Sequence, residues 1–130
     1  MQQSEVQPSQ LRHLVEAEFL HYVVAYKPPA EGQTLGTPWS KGKVKAEVDE
    51  MSTLLVDPYP IEYESNDDLL SPEKRLTGIR GAFVVAEDLP YFLLYDYQAE
   101  DFVLACKHEG NGKLAAWGIR GDATSTFLAR

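Results

Sequence analysis

Apolar residues recur between Ser9 and Tyr26 at the spacing of a helix. Leu11, Leu14, Val15, Phe19, Tyr22, Val23 and Tyr26 follow an i, i+3, i+4, i+7 pattern, and Arg12, His13 and Glu16 fall largely on the other side. Ser9 offers an N-cap, and Pro28-Pro29 ends the run because proline cannot donate to the helical ladder and restricts the residue before it. The pattern predicts an amphipathic helix of about 17 residues, preceded by a loose polar leader over residues 1–8. Residues 28–42 hold three prolines, three glycines and Trp39 without periodicity, which predicts a long loop with Trp39 plugging the core.

Beyond that loop the period changes. Val44, Ala46 and Val48 alternate with Lys43, Lys45, Glu47 and Asp49, the period of two of a half-exposed strand. Met51 to Val56 is more continuously apolar, and Asp57-Pro58-Tyr59-Pro60 predicts a turn or an edge crossing. Ile61 and Tyr63 alternate with Glu62 and Glu64, giving a short strand with an acidic outer face. Ser65 to Asp68 predicts a turn, and Ser71-Pro72-Glu73 one helical turn.

The second half is denser in β signal. Ile79 to Ala86, Tyr91 to Tyr97, Phe102 to Lys107 and Leu114 to Ile119 are apolar or aromatic runs joined by short segments rich in turn formers, Asn111-Gly112 foremost. Consecutive strands should therefore pair antiparallel. Asp122 or Thr124 would cap a last short helix through Leu128, and a terminal strand is the alternative. The expected fold is α+β: one domain over residues 1–130, with the N-terminal helix packed on a twisted, mainly antiparallel sheet of about five to six strands.

One phrase occurs twice. Gly78-Ile79-Arg80-Gly81 and Gly118-Ile119-Arg120-Gly121 are identical, each beside a β-forming run. Glycine reaches backbone angles closed to other residues, so matched turns are expected, each holding isoleucine inward and arginine outward. The flanks differ, Ala82-Phe83-Val84-Val85 against Asp122-Ala123-Thr124-Ser125, which argues against duplication. Two exposed arginines on matching turns make Arg80 and Arg120 candidates for binding an anionic ligand.

Composition narrows the partners. The net charge is −8, spread along the chain and not gathered in a tail. Direct binding of nucleic acid is disfavoured, since phosphate contacts need a basic face, whereas a basic protein partner suits the charge. No apolar run approaches the ~20 residues of a membrane span, the start lacks a secretory signal, and Cys106 is the single cysteine. A cytoplasmic protein is expected. No zinc-ligand spacing, P-loop, GxSxG or GxGxxG is present; a Cys106 nucleophile would share a strand face with His108 two residues on, but a mid-strand cysteine reads first as a small buried hydrophobe. Neither catalytic residues, metal nor cofactor are assigned.

Tyr91, Tyr95 and Tyr97 alternate on one run with Asp96 between them, and Glu100 and Asp101 follow. Rings supply buried area and carboxylates pair with Arg or Lys, so these six residues form the expected partner-binding strip. In layout, the hairpin-linked strands and closing helix of the second half resemble, in topology alone, the SUKH class of bacterial immunity proteins. The leading expectation is a small acidic binding protein that neutralises a basic partner, in its most specific form an immunity or antitoxin-type protein. The alternatives are a small-ligand or enzymatic domain using Arg80 and Arg120, and a regulatory homodimer joined at a sheet edge.

Overall fold

A computed structural model of the chain describes residues 7–29, 39–66, 77–108, 110 and 112–130. Helix α1 (Pro8–Ala25) buries Leu11, Val15 and Phe19, and half-buried Tyr22, Val23 and Tyr26 extend the same face. It begins two residues earlier than the Ser9 cap implies. Gln7 is the cap, its carbonyl accepting the Leu11 amide at 2.9 Å, and Pro8 takes the first helical position, where its fixed φ is already helical.

Residues 43–49 are a helix, not the expected strand. Helix α2 (Lys41–Ser52) is capped by Ser40, whose Oγ accepts the Lys43 amide at 3.1 Å. Val44, Val48 and Met51 are its buried residues, an i, i+4, i+7 set hidden inside the Val-Ala-Val alternation. The intervening Lys and Glu are good helix formers, and Lys45 reaches Asp49 one turn on at 2.7 Å. Trp39 does not plug the core. It is exposed, with the Lys43 ammonium 4.6 Å from its ring centroid and the Tyr26 hydroxyl donating to its carbonyl at 2.9 Å.

Strand β1 (Leu55–Asn66) runs straight through Asp57-Pro58-Tyr59-Pro60, which is the edge crossing and not the turn of the two alternatives expected there, and takes in Ser65 and Asn66 of the other expected turn. The prolines are tolerated because the register with β2 (Thr77–Asp88) shifts between Leu55 and Tyr59 and, among the described residues, no strand pairs the other edge of β1 before Glu64. The rest of that second turn and the Ser71-Pro72-Glu73 helical turn lie outside the described residues.

The remaining strands are β3 (Tyr91–Asp96), β4 (Asp101–Lys107), β5 (Leu114–Ala116) and β6 (Arg120–Gly121), followed by α3 (Ala123–Leu128). Of the expected Leu114 to Ile119 run only Leu114–Ala116 is strand, and β6 begins after it at Arg120. Neighbours β1 to β5 pair antiparallel in sequence order, and β5 returns to β1 in parallel, closing a ring. An up-and-down series with an odd number of strands must close on one parallel pair. Strand β6 joins β4 beside β5. Among the described residues, open sheet edges are found at β6, at β1 before Glu64 and at β2 before Phe83 on its β3 side.

Closure gives every central strand two buried faces. Tyr63, Ala82, Val84, Phe92, Leu94 and Val103 fill the ring interior, while Leu93, Tyr95, Leu104 and Val85 face the helical layer of Leu11, Phe19, Val48 and Phe127. A bulge at Val85 in the β2–β3 ladder turns Val85 and Ala86 to the same helical side. No described helix is long and apolar enough to cross a membrane.

Candidate functional site

The two Gly-Ile-Arg-Gly phrases are not the matched turns expected: Gly78–Gly81 runs inside β2, paired residue for residue with Glu62–Ser65 of β1, whereas Gly118 and Ile119 lead into β6, and what the phrases share is a first glycine at positive φ, 92° and 97°. Their side chains point the opposite way from the expectation. Ile79 and Ile119 are exposed, at 63% and 45%, and Arg80 and Arg120 turn inward. Register is the cause. Arg80 pairs with Tyr63 and shares the face of Ala82 and Val84, and Arg120 pairs with Val103, all of which line the ring.

Both arginines converge on Asp96, whose side chain is fully buried. Arg80 donates through Nε to Oδ2 and through Nη2 to Oδ1, the latter at 3.2 Å. Arg120 Nη2 reaches Asp96 Oδ2 at 3.2 Å and the Tyr63 hydroxyl oxygen at 3.1 Å, and the Tyr63 hydroxyl donates to Asp96 Oδ2 at 2.6 Å. Arg120 also forks onto Asp101, with Nε at 2.9 Å and Nη2 at 3.1 Å. Two guanidinium groups thus meet two carboxylates, and burial leaves no net charge to desolvate.

Asp96 also shapes the β3–β4 turn. Its Oδ1 accepts the amides of Gln98 and Ala99 at 3.1 and 3.0 Å, and its carbonyl accepts that of Glu100 at 2.7 Å. Burial alone would push the Asp96 carboxyl up. Hydrogen bonds from Arg80, Tyr63 and the Ala99 amide outweigh it and hold the group down at about 2. Burial, then the bond to Asp96, pushes the Tyr63 hydroxyl up to about 12 against the opposing pull of Arg120. Burial acts to lower Arg120, but Asp101 and Tyr63 more than offset it and keep the guanidinium charged.

The cluster draws together residues that the sequence assigned to two separate partners. The anion held by Arg80 and Arg120 here is the chain's own Asp96 and Asp101. The tyrosine-carboxylate strip is not an exposed surface: Tyr95 is buried against Phe102, with ring centroids 5.1 Å apart, and Asp96 faces the ring interior. Alternation along β3 sends Tyr91 and Tyr95 to the helical layer, where Tyr91 is half-buried. Tyr97 is half-buried against Phe83, Asp101 is partly covered, and Glu100 alone of the six is exposed. Tyr63, central to the cluster, was legible only as a strand residue between two glutamates.

Gly81 is where the repeat matters sterically, since a Cβ there would collide with the Tyr97 hydroxyl. Gly81→Ala is expected to cost about 1–3 kcal/mol by displacing that ring, and close to nothing in a Tyr97→Ala background. Urea denaturation of the four proteins of the cycle measures this. Equal costs in both backgrounds would refute the contact as the cause.

A second feature lies at the β1–β5 seam of the ring. Strands β1 and β5 pair only at Glu64–Ala115 and Ser65–Ala116, and towards Ile61 and Gly112 they part around a cleft of about 300 Å³. Ile61, Tyr63, Leu114 and Ile79 give it apolar walls, and Glu62 and Glu64, both exposed, stand on its β1 side. Elsewhere, the Cys106 thiol lies 3.8 Å from the Lys107 carbonyl, and His108 Nδ1 accepts the Gly110 amide at 3.1 Å. Among the described residues no group of three His, Cys, Asp or Glu side chains could hold a metal ion. No family model, curated protein or solved structure matches the chain.

Proposed function

We propose that this chain is a binding protein for a basic protein partner, docked on the outer face of β1. The observation that carries the reading is the pairing of two exposed carboxylates, Glu62 and Glu64, with exposed Ile79 beside an apolar cleft. Trp117, directly after β5, is exposed as well. Apolar and aromatic contact area framed by carboxylates suits a surface bearing Arg or Lys, and the net charge of −8 favours fast encounter with it. The most specific form of the reading is an immunity or antitoxin-type protein whose partner is a toxin. The reading through Arg80 and Arg120 is less well supported, because a ligand would have to displace Asp96 and Asp101 from them.

The wild-type chain and a Glu62→Lys/Glu64→Lys variant, used as paired baits in the source cell, test this. A basic protein held by the wild type, and bound at least about tenfold more weakly by the charge-reversed variant after purification, is the expected result. Identical captures by both baits would overturn the docking face. If the captured protein arrests growth, relief by the wild type and not by the variant would establish the immunity form.

A further inference from the structure

We infer that the outer face of α1 docks on the same face of a second copy of this chain, the two helices antiparallel about a two-fold axis at Ala17. The inference does not depend on the docking face assigned to β1. Helix α1 is apolar on both sides. Leu11, Val15 and Phe19 are committed to the core, yet Leu14, Leu20 and Val24 stand 55%, 67% and 65% exposed, and no other described element leaves as many large apolar side chains in solvent. A helix that closes a finished surface keeps its outer side polar, so a second apolar stripe marks a contact. At 3.6 residues per turn these three share about a third of the helix circumference with Gln10, His13, Ala17 and His21, all of them exposed.

Two features choose a second copy as the occupant. The first is the order of residue types along the stripe. Reversed about Ala17 it reads almost unchanged: Leu20 takes the place of Leu14, His21 that of His13, and Val24 that of Gln10. A two-fold contact between identical helices asks for this order, because residue i of one copy meets residue j of the other while j meets i. Ala17 lies on the axis and meets itself, and its single methyl lets the helices approach to about 8 Å, the close end of helix packing. The second feature is charge. None of the seven side chains carries a formal charge with histidine neutral, and α1 and α2 together hold four basic and five acidic groups, so −7 of the chain's −8 lies elsewhere. A basic partner finds no carboxylate in the stripe to pair with. Two acidic copies, by contrast, repel least where their charge is thinnest.

Sedimentation velocity of the full chain tests the contact. From Gln10 to Val24 the helix presents about 21 Å, a small interface, so a dimer with Kd of about 1–100 μM is expected. Ala17→Glu, which sets two carboxylates against each other on the axis, and Leu20→Glu should each weaken it at least about tenfold with far-UV circular dichroism and urea midpoint unchanged. The register has its own test. Antiparallel pairing places residue 13 of one copy against residue 21 of the other, so His13→Glu/His21→Lys should tighten the dimer several-fold and His13→Glu/His21→Glu should weaken it. Parallel pairing would set Glu on Glu and Lys on Lys, and the first variant would then weaken it too. A chain that stays monomeric up to about 500 μM, well above the Kd range of a weak specific dimer, would overturn the inference and leave the stripe to a different protein. A dimer indifferent to Ala17→Glu and Leu20→Glu, joined elsewhere, or one weakened by His13→Glu/His21→Lys, would overturn it equally.

Discussion

Asp96→Asn is expected to cost about 3–5 kcal/mol of folding stability, a large share of the 5–15 kcal/mol typical of a domain. The substitution keeps the shape of the side chain and removes its charge. Arg80, with only 15% of its side chain exposed, then loses its carboxylate partner, and Arg120 loses one of its two carboxylates while keeping Asp101 and the Tyr63 hydroxyl. An amide would also place a donor NH₂ where the carboxylate accepts from Arg80, Arg120, Tyr63 and two backbone amides. Arg80→Met should cost less, about 1–3 kcal/mol, because Asp96 keeps Arg120, Tyr63 and the turn amides. Urea titrations followed by Trp fluorescence rank the two. An Asp96→Asn protein within about 1 kcal/mol of wild type would show that the cluster contributes little net stability.

The same carboxylate sets an acid limb. Its ordinary value near 3.8 is lowered to about 2 in the fold, so the folded state releases the proton more readily than the unfolded chain. The corresponding stability, about 2 kcal/mol, is present above pH 4 and is lost as pH falls towards 2. Tyr63 acts at the other end: its raised value favours the neutral hydroxyl, and that stability is lost as pH rises from 10 through about 12. A wild-type stability profile flat between pH 4 and 2, or the same slope in Asp96→Asn, would contradict the assignment to Asp96.

How far the sequence discloses this arrangement depends on the element. The strands of the second half are legible because their turn formers are local and their apolar runs lack any helical alternative. Residues 43–49 are not, since Val44, Ala46 and Val48 satisfy a period of two while Val44, Val48 and Met51 satisfy a period near 3.6, and only the Ser40 cap and the Lys–Glu filling separate them. Arg80 and Arg120 are legible as a pair but not in direction. Both faces of β2 are apolar, with Phe83 and Val85 on one side and Ala82 and Val84 on the other, so nothing local says which side an arginine joins. The closed ring decides it. Its parallel β1–β5 pair brings together residues some fifty positions apart, a non-local fact that no window of sequence contains. The cleft follows from the same closure, because it lies where that pair ends.

Phe127→Ala is expected to detach the last helix at a cost of about 3–5 kcal/mol while leaving the ring intact. Six residues cannot sustain a helix alone, so α3 exists by being held. Phe127 is fully buried in the helical layer, and the Arg130 guanidinium lies 4.2 Å from its ring centroid. Arg130 in turn reaches Asp88 at 2.7 Å, tying the chain end to the β2–β3 corner. At the other end Glu18 of α1 accepts the Ala123 and Thr124 amides at 3.1 and 2.7 Å and the Thr124 hydroxyl at 2.6 Å, a cap supplied from a distant element. Glu18→Gln should cost about 1–2 kcal/mol alone and less in the Phe127→Ala background, because both changes release the same helix. Hydrogen exchange distinguishes release from general collapse. Amides of residues 123–128 should lose protection in Phe127→Ala while those of β3 and β4 keep most of theirs, and uniform loss across the ring would show that α3 is an integral part of the core.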